Sequence, residues 1–131
     1  MGYSTDYSLT VRPVKNETEF NDLKAVLSME KFNLIYYAFD SGWYTEKDHT
    51  AYFYTYDSVK WYNNRDDMIE ISKRFPNMVF MLEGQGELPG DMWKCYFKNG
   101  EWEMCEAVIH MPEPGFIHWP EVNEANERIA V

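Results

Sequence analysis

Met92-Trp93-Lys94-Cys95-Tyr96-Phe97-Lys98-Asn99-Gly100-Glu101-Trp102-Glu103-Met104-Cys105-Glu106 carries the clearest local signal in this chain. Asn-Gly between two strand-like runs marks the two-residue hairpin turn, whose central residues both need positive φ. Such a turn sets the register: Lys98 faces Glu101, Phe97 faces Trp102, Cys95 faces Met104 and Trp93 faces Glu106. Side chains alternate between the faces of a strand. Trp93, Cys95, Phe97, Trp102 and Met104 therefore share one face, expected to be buried. Lys94, Lys98, Glu101 and Glu103 share the other, expected to be solvated. Cys95 and Cys105 fall on opposite faces, which disfavours a disulfide between them. Both are expected to be buried or half-buried thiols.

Upstream of the hairpin, residues 84–91 read as a loop by their Gly, Glu and Pro content. Residues 78–83 form a short, continuously apolar run, as in a strand in the middle of a sheet. Before it, Asn63 or Asn64 caps a helix running to Phe75, with Asp66 and Asp67 in its first turn. Met68, Ile71, Ser72 and Phe75 form its inward stripe, and Pro76 ends it. Residues 49–56 read as a strand with Ala51, Phe53 and Thr55 set against Tyr52, Tyr54 and Tyr56. Residues 34–39 read as another strand, broken at 40–42, and residues 43–48 as a loop.

Nearer the start, residues 7–13 form a first strand with Tyr7, Leu9 and Val11 on one face. Asn16 caps a helix with Glu17 and Glu19 in its first turn and Phe20, Leu23, Val26 and Leu27 at helical spacing, ending near 28–31. The order strand, helix, strand, strand, helix, strand, strand, strand gives an α+β fold. The expected architecture is a mostly antiparallel sheet with two helices on one face, ferredoxin-like (split βαβ) with an extra C-terminal hairpin. Residues 1–110 make a single domain, and residues 111–131 a Pro-containing acidic tail or short helix.

Residues 50–106 also resemble a known family. An aromatic strand leads into Lys60-Trp61-Tyr62, and a helix ends in Ser72-Lys73-Arg74-Phe75-Pro76-Asn77. The strand Val79-Phe80-Met81-Leu82-Glu83, a Gly/Glu loop and a strand leading to Lys98-Asn99-Gly100-Glu101 follow. This pattern is similar to the ferredoxin-like domain of Api92-like (YubB-type) proteins, carried mostly by phages, plasmids and other mobile elements. The resemblance covers under half of the chain. It implies a ferredoxin-like fold and a mobile-element origin, and it implies no activity and no site residues.

The 131 residues are 45% hydrophobic and 18% aromatic, enough for a packed core. Twenty-two acidic against 12 basic residues give a formal charge of −10. Such a chain is repelled by nucleic-acid phosphates and anionic membranes and attracted to basic partners, although acidic residues also promote plain solubility. The acidity is concentrated: residues 99–131 hold seven acids and one base. The first six residues lack a signal-peptide layout and Asp6 breaks a myristoylation pattern, so a cytoplasmic location is expected.

Candidate chemistry is sparse. Residues 84–91 place Glu83, Glu87 and Asp91 around a bent backbone, without cation-loop or phosphate-loop spacing. His49, His110 and His118 show no zinc spacing, and Cys95 and Cys105 lie within strands where nothing lowers a thiol pKa. No cofactor is expected. Trp43, Tyr44, Tyr52, Tyr54, Tyr56, Trp61 and Tyr62 crowd within twenty residues, either covering a sheet or presenting a recognition surface. Their neighbours are too acidic for direct nucleic-acid binding. The leading expectation is a non-enzymatic acidic binding or inhibitory protein of a phage or mobile element, an anti-defence protein or nucleic-acid mimic. It acts on a host protein with a basic surface through Trp43, Tyr44, Trp61, Glu87, Asp91, Glu101, Glu103 and Glu106. Two alternatives stand beside it: a small-ligand or nucleotide-sequestering domain, and an enzyme using Glu87 or Asp91 with His110.

Overall fold

The computed structural model describes residues 5–29, 41–55, 60–117 and 120. Among these, six strands and two helices follow in the order β1 (Thr5–Arg12), α1 (Glu17–Leu27), β2 (Ser41–Thr45), β3 (Thr50–Tyr54), α2 (Asn64–Arg74), β4 (Val79–Gly86), β5 (Met92–Lys98) and β6 (Glu101–Glu106). The strands form one sheet in the order β2-β3-β1-β4-β5-β6, with every neighbouring pair antiparallel. The strand expected at 34–39 lies outside the described residues.

Asn99 and Gly100 take φ of 47° and 85°, as the tight turn demands, and β5 pairs with β6 in the anticipated register. The turn is also tied to α2. The Gly100 N–H donates to Ser72 Oγ at 2.9 Å, and that hydroxyl donates to the Ile69 carbonyl at 2.8 Å. Ser72, on the inward stripe of α2, is thus buried with its hydroxyl satisfied on both sides.

Alternation along the strands gives the sheet one buried face. Tyr7, Leu9 and Val11 of β1, Ala51 and Phe53 of β3, Phe80 and Leu82 of β4, and Cys95 and Phe97 of β5 form the core with Phe20, Leu23 and Leu27 of α1 and Met68 and Ile71 of α2. Both helices therefore cover the same side of the sheet. The α1 start is closed from both directions: Asn16 Oδ1 accepts from the Glu19 N–H at 2.9 Å, and Glu19 Oε1 accepts from the Lys15 N–H at 2.7 Å. At α2, Asn63 occupies the cap position without a side-chain cap bond. Asn64 instead donates to the Trp61 carbonyl at 2.9 Å.

Two expected loops are strand, for one physical reason. Gly42 sits opposite Phe53, and a Cβ there would fall 2.5 Å from that ring. Gly84 sits opposite Trp93, and a Cβ there would fall 2.4 Å from the indole. In both places the missing side chain lets an aromatic ring lie on the backbone of the next strand, so glycine continues the sheet rather than ending it. The segment 43–48 accordingly begins as β2, and β4 runs on through Gly86, leaving only 87–91 as connection. Trp102 and Cys105 also depart from expectation: β6 is the sheet's edge, and both are exposed.

The Gly84–Trp93 contact gives a double-substitution test. Gly84→Ala is expected to destabilise the fold by about 1–3 kcal/mol through overpacking. In a Trp93→Ala background the same change is expected to cost under about 0.5 kcal/mol, because the clash is gone. Urea unfolding of the four proteins measures both values.

Candidate functional site

The face of the sheet turned away from the helices is polar in its centre and aromatic at one side. Asp6, Ser8, Thr10 and Arg12 of β1 alternate with its core residues and so point to this open face. On β2 and β3, Trp43 stacks on Tyr52 with ring centroids 5.3 Å apart and meets the edge of Tyr54 at 5.5 Å. Trp43 keeps 49% of its surface exposed. The three rings form an aromatic shelf that no described helix covers.

Across the sheet, β1, β4, β5 and β6 border a half-open cleft of about 590 Å³. Its walls are open-face side chains: Ser8, Glu83, Gln85, Met92, Lys94, Tyr96 and Cys105. Tyr7, Gly84 and Trp93 also border it. Their side chains belong to the helix side, so they contribute backbone to its floor. Tyr96 and Met92 are exposed and supply apolar surface, while Glu83 and Lys94 face each other across the β4–β5 ladder.

The expected site residues do not converge. Trp43 and Tyr44 are adjacent on a strand and point to opposite faces; Tyr44 packs against Phe20 at 5.0 Å on the helix side. Trp61 is not a surface anchor. It is 1% exposed, its Nε1 donates to Asp67 Oδ2 at 2.7 Å, and its ring meets Tyr7 edge-on at 5.2 Å. Tyr7 donates its hydroxyl proton to the Trp61 carbonyl at 3.2 Å. Glu87 and Asp91 lie in the β4–β5 connection, where the Gly86 N–H donates to the Asp91 carbonyl. Glu101 and Glu103 point to the open face of β6, and Glu106 follows Trp93 to the helix side. Between β2 and β6 lie five strand spacings of about 4.8 Å, so Trp43 and Glu103 stand roughly 24 Å apart.

The cleft and the Trp43–Tyr52–Tyr54 shelf are the features that sequence reasoning did not assemble. Among the described residues, no three His, Cys, Asp or Glu side chains are grouped to hold a metal ion. No described helix is long and apolar enough to cross a membrane. Burial pushes the Cys95 thiol pKa up, only partly offset by the charge of Arg65, which keeps it a thiol at neutral pH. Ile109 packs beside Gly90, so the segment bearing His110 runs past the 87–91 connection, with His110 exposed. Comparison of the chain with family models, with curated proteins and with solved structures finds no match.

The two thiols are expected to separate cleanly in reactivity. With an aromatic disulfide reagent, Cys105 should react in the native protein, and Cys95 on the order of a hundredfold more slowly, through opening of the core. Equal rates would contradict the two-faced placement.

Tyr7 predicts an alkaline limit on stability. Burial raises its pKa above the ordinary value of 10, against the lowering effect of hydrogen bonds from Thr5 and Asn64. The fold favours the neutral phenol. Its contribution is therefore complete below pH 10, the unfolded value, and is lost as pH rises through the higher folded value. Denaturation midpoints should decrease as pH rises above 10, and decrease less in Tyr7→Phe.

Proposed function

We propose that this chain is a non-enzymatic binding protein whose open sheet face recognises a protein partner, and that it serves a phage or mobile element as an inhibitor of a host protein. The observation that carries the reading is the packed aromatic shelf of Trp43, Tyr52 and Tyr54, which no described helix covers, on a chain of net charge −10. Trp43 is exposed and Tyr52 and Tyr54 are half-buried; pre-packed aromatic rings are the usual anchors of protein interfaces, because they bury much area with little loss of rotamer freedom. The acidic balance selects a basic partner surface and speeds its encounter.

The fold belongs to this proposal in its finer description. In the sheet, β1 separates β3 from β4, and β3 separates β1 from β2. Two interleaved strand-helix-strand units with a strand inserted in each produce that order, which supports a ferredoxin-like core extended at its edge by β5 and β6. The pattern shared with Api92-like proteins over residues 50–106 supports the mobile-element origin, and a host target places the chain in the cytoplasm. Residues 1–110 serve as the binding domain and residues 111–131 as an acidic appendage.

The cleft favours a second reading, a small-ligand sequestering domain. Its size falls within the range of ligand pockets, and Tyr96, Met92 and Lys94 offer apolar and cationic contacts. Small molecules retained in native mass spectra of the freshly purified chain would favour it.

Affinity capture from the native host tests the first reading. The captured protein should be basic on the bound surface and weaken at least about tenfold between roughly 0.05 and 0.5 M salt, where screening lengths fall to a few Å. Trp43→Ala and Tyr52→Ala should each reduce capture by about tenfold or more while leaving the thermal midpoint little changed. Salt-insensitive capture, or capture indifferent to both substitutions, would remove this proposal.

A further inference from the structure

β6 is the edge of the sheet: among the described residues no strand pairs with it on its outer side. The direction of its backbone follows from two observations. Lys98 and Glu101 flank the two-residue turn as partners, and the Ala107 N–H donates to the Met92 carbonyl at 2.9 Å. Odd-numbered residues of β6 thus turn their peptide groups toward β5. In an antiparallel ladder the alternate residues turn theirs away. Trp102, Met104 and Glu106 therefore present their N–H and C=O groups outward, as a template for another strand.

The side chains along this edge are sorted by face. Glu101 and Glu103 lie on the open face, while Trp102 and Met104 lie on the helix side. Trp102 is 44% exposed even though the Arg65 guanidinium sits over its ring at 4.1 Å. From Asn99 to Ile117 the chain has four Glu and no Lys or Arg. Antiparallel self-pairing of β6 centred on Trp102 or Glu103 would set glutamates against glutamates, which is destabilising. A strand of alternating basic and apolar residues meets no such conflict. Its cations lie over Glu101 and Glu103, its apolar residues extend the surface of Trp102 and Met104, and its backbone completes the ladder.

We propose that β6 is a docking edge for an extended basic-apolar segment of a partner protein, bound by strand addition. The inference rests on the reading of a basic protein partner and specifies how that partner is held. The edge adjoins the cleft through Cys105, Glu106 and Ala107, so one partner can engage both.

The probe is the peptide acetyl-Lys-Val-Arg-Val-Lys-amide, titrated into the full chain and followed by amide hydrogen exchange. Exchange at Trp102, Met104 and Glu106 should slow by about tenfold or more at saturation, while the β5 amides stay protected throughout. Glu101→Lys combined with Glu103→Lys should weaken the peptide by about tenfold or more, and glutamates in place of its basic residues should abolish binding. Met104→Pro should block addition, since it removes an outward N–H and leaves the ladder to β5 intact. The charge-reversed pair supplies the answer if the Pro variant misfolds. Equal binding of the acidic peptide overturns the proposal, as does peptide binding that leaves the three amides unprotected. Protection of those amides by the chain's own concentration, signifying a second copy, also overturns it. If a basic host protein is captured equally well by the charge-reversed pair, strand addition fails and the binding reading stands. If the peptide protects the edge and no host protein is captured, the reverse holds.

Discussion

The position of β1 is the constraint on which the rest of this structure depends. It is hydrogen-bonded on both sides, to β3 and to β4, so its alternation dictates the sidedness of the whole sheet. Tyr7, Leu9 and Val11 are buried, and Asp6, Ser8, Thr10 and Arg12 alternate with them. A shift of one residue would drive these polar groups into the core. Tyr7, at the same strand's buried end, extends the constraint into the helical layer. Its ring touches Trp61 and Trp93, and its hydroxyl bonds to the Trp61 carbonyl. Asn64 and Asp67 then satisfy the polar atoms of Trp61, so the entry to α2 is fastened to the central strand by a closed set of hydrogen bonds.

A core built on one side leaves the other without a described helix, and the two differ in chemistry accordingly. The helix side excludes water and holds Cys95 as a neutral thiol. The open side carries hydroxyls, carboxylates and lysines among exposed rings. Rigid strands hold these groups in place, so the surface offered to the proposed partner needs little ordering on contact. The shelf lies on β2 and β3, the cleft adjoins the β6 edge on the other side of β1, and together they span the width of the sheet.

Much of the fold was legible because its strongest signals are local. The Asn99-Gly100 turn set the β5–β6 register, and the stripes of Phe20, Leu23 and Leu27 and of Met68, Ile71 and Ser72 marked the buried sides of the helices. Glycine caused the errors. At Gly42 and Gly84 the composition signals a chain break, whereas the role of glycine is to make room for the ring of the residue directly opposite on the neighbouring strand, a contact that only the assembled sheet reveals. Trp61 was misread for a related reason. Its neighbours in sequence are polar, and its burial comes from β1 and α2. The site was less legible than the fold. The cleft draws on four strands separated by up to a hundred residues, and proximity in sequence grouped Trp43 with Tyr44 although the strand sends them to opposite sides.

The bond between Gly100 and Ser72 has a mechanical consequence. A load applied at Ala107 meets β6 as an edge strand of the described sheet and peels it from β5, breaking the Ala107–Met92 bond and then one rung at a time. This unzipping resists weakly, because the bonds fail in series rather than together. It proceeds until it reaches the turn, where the Ser72 hydroxyl clamps the Gly100 N–H to α2. The clamp divides the molecule into a last strand that yields under small force and a body that remains folded behind it.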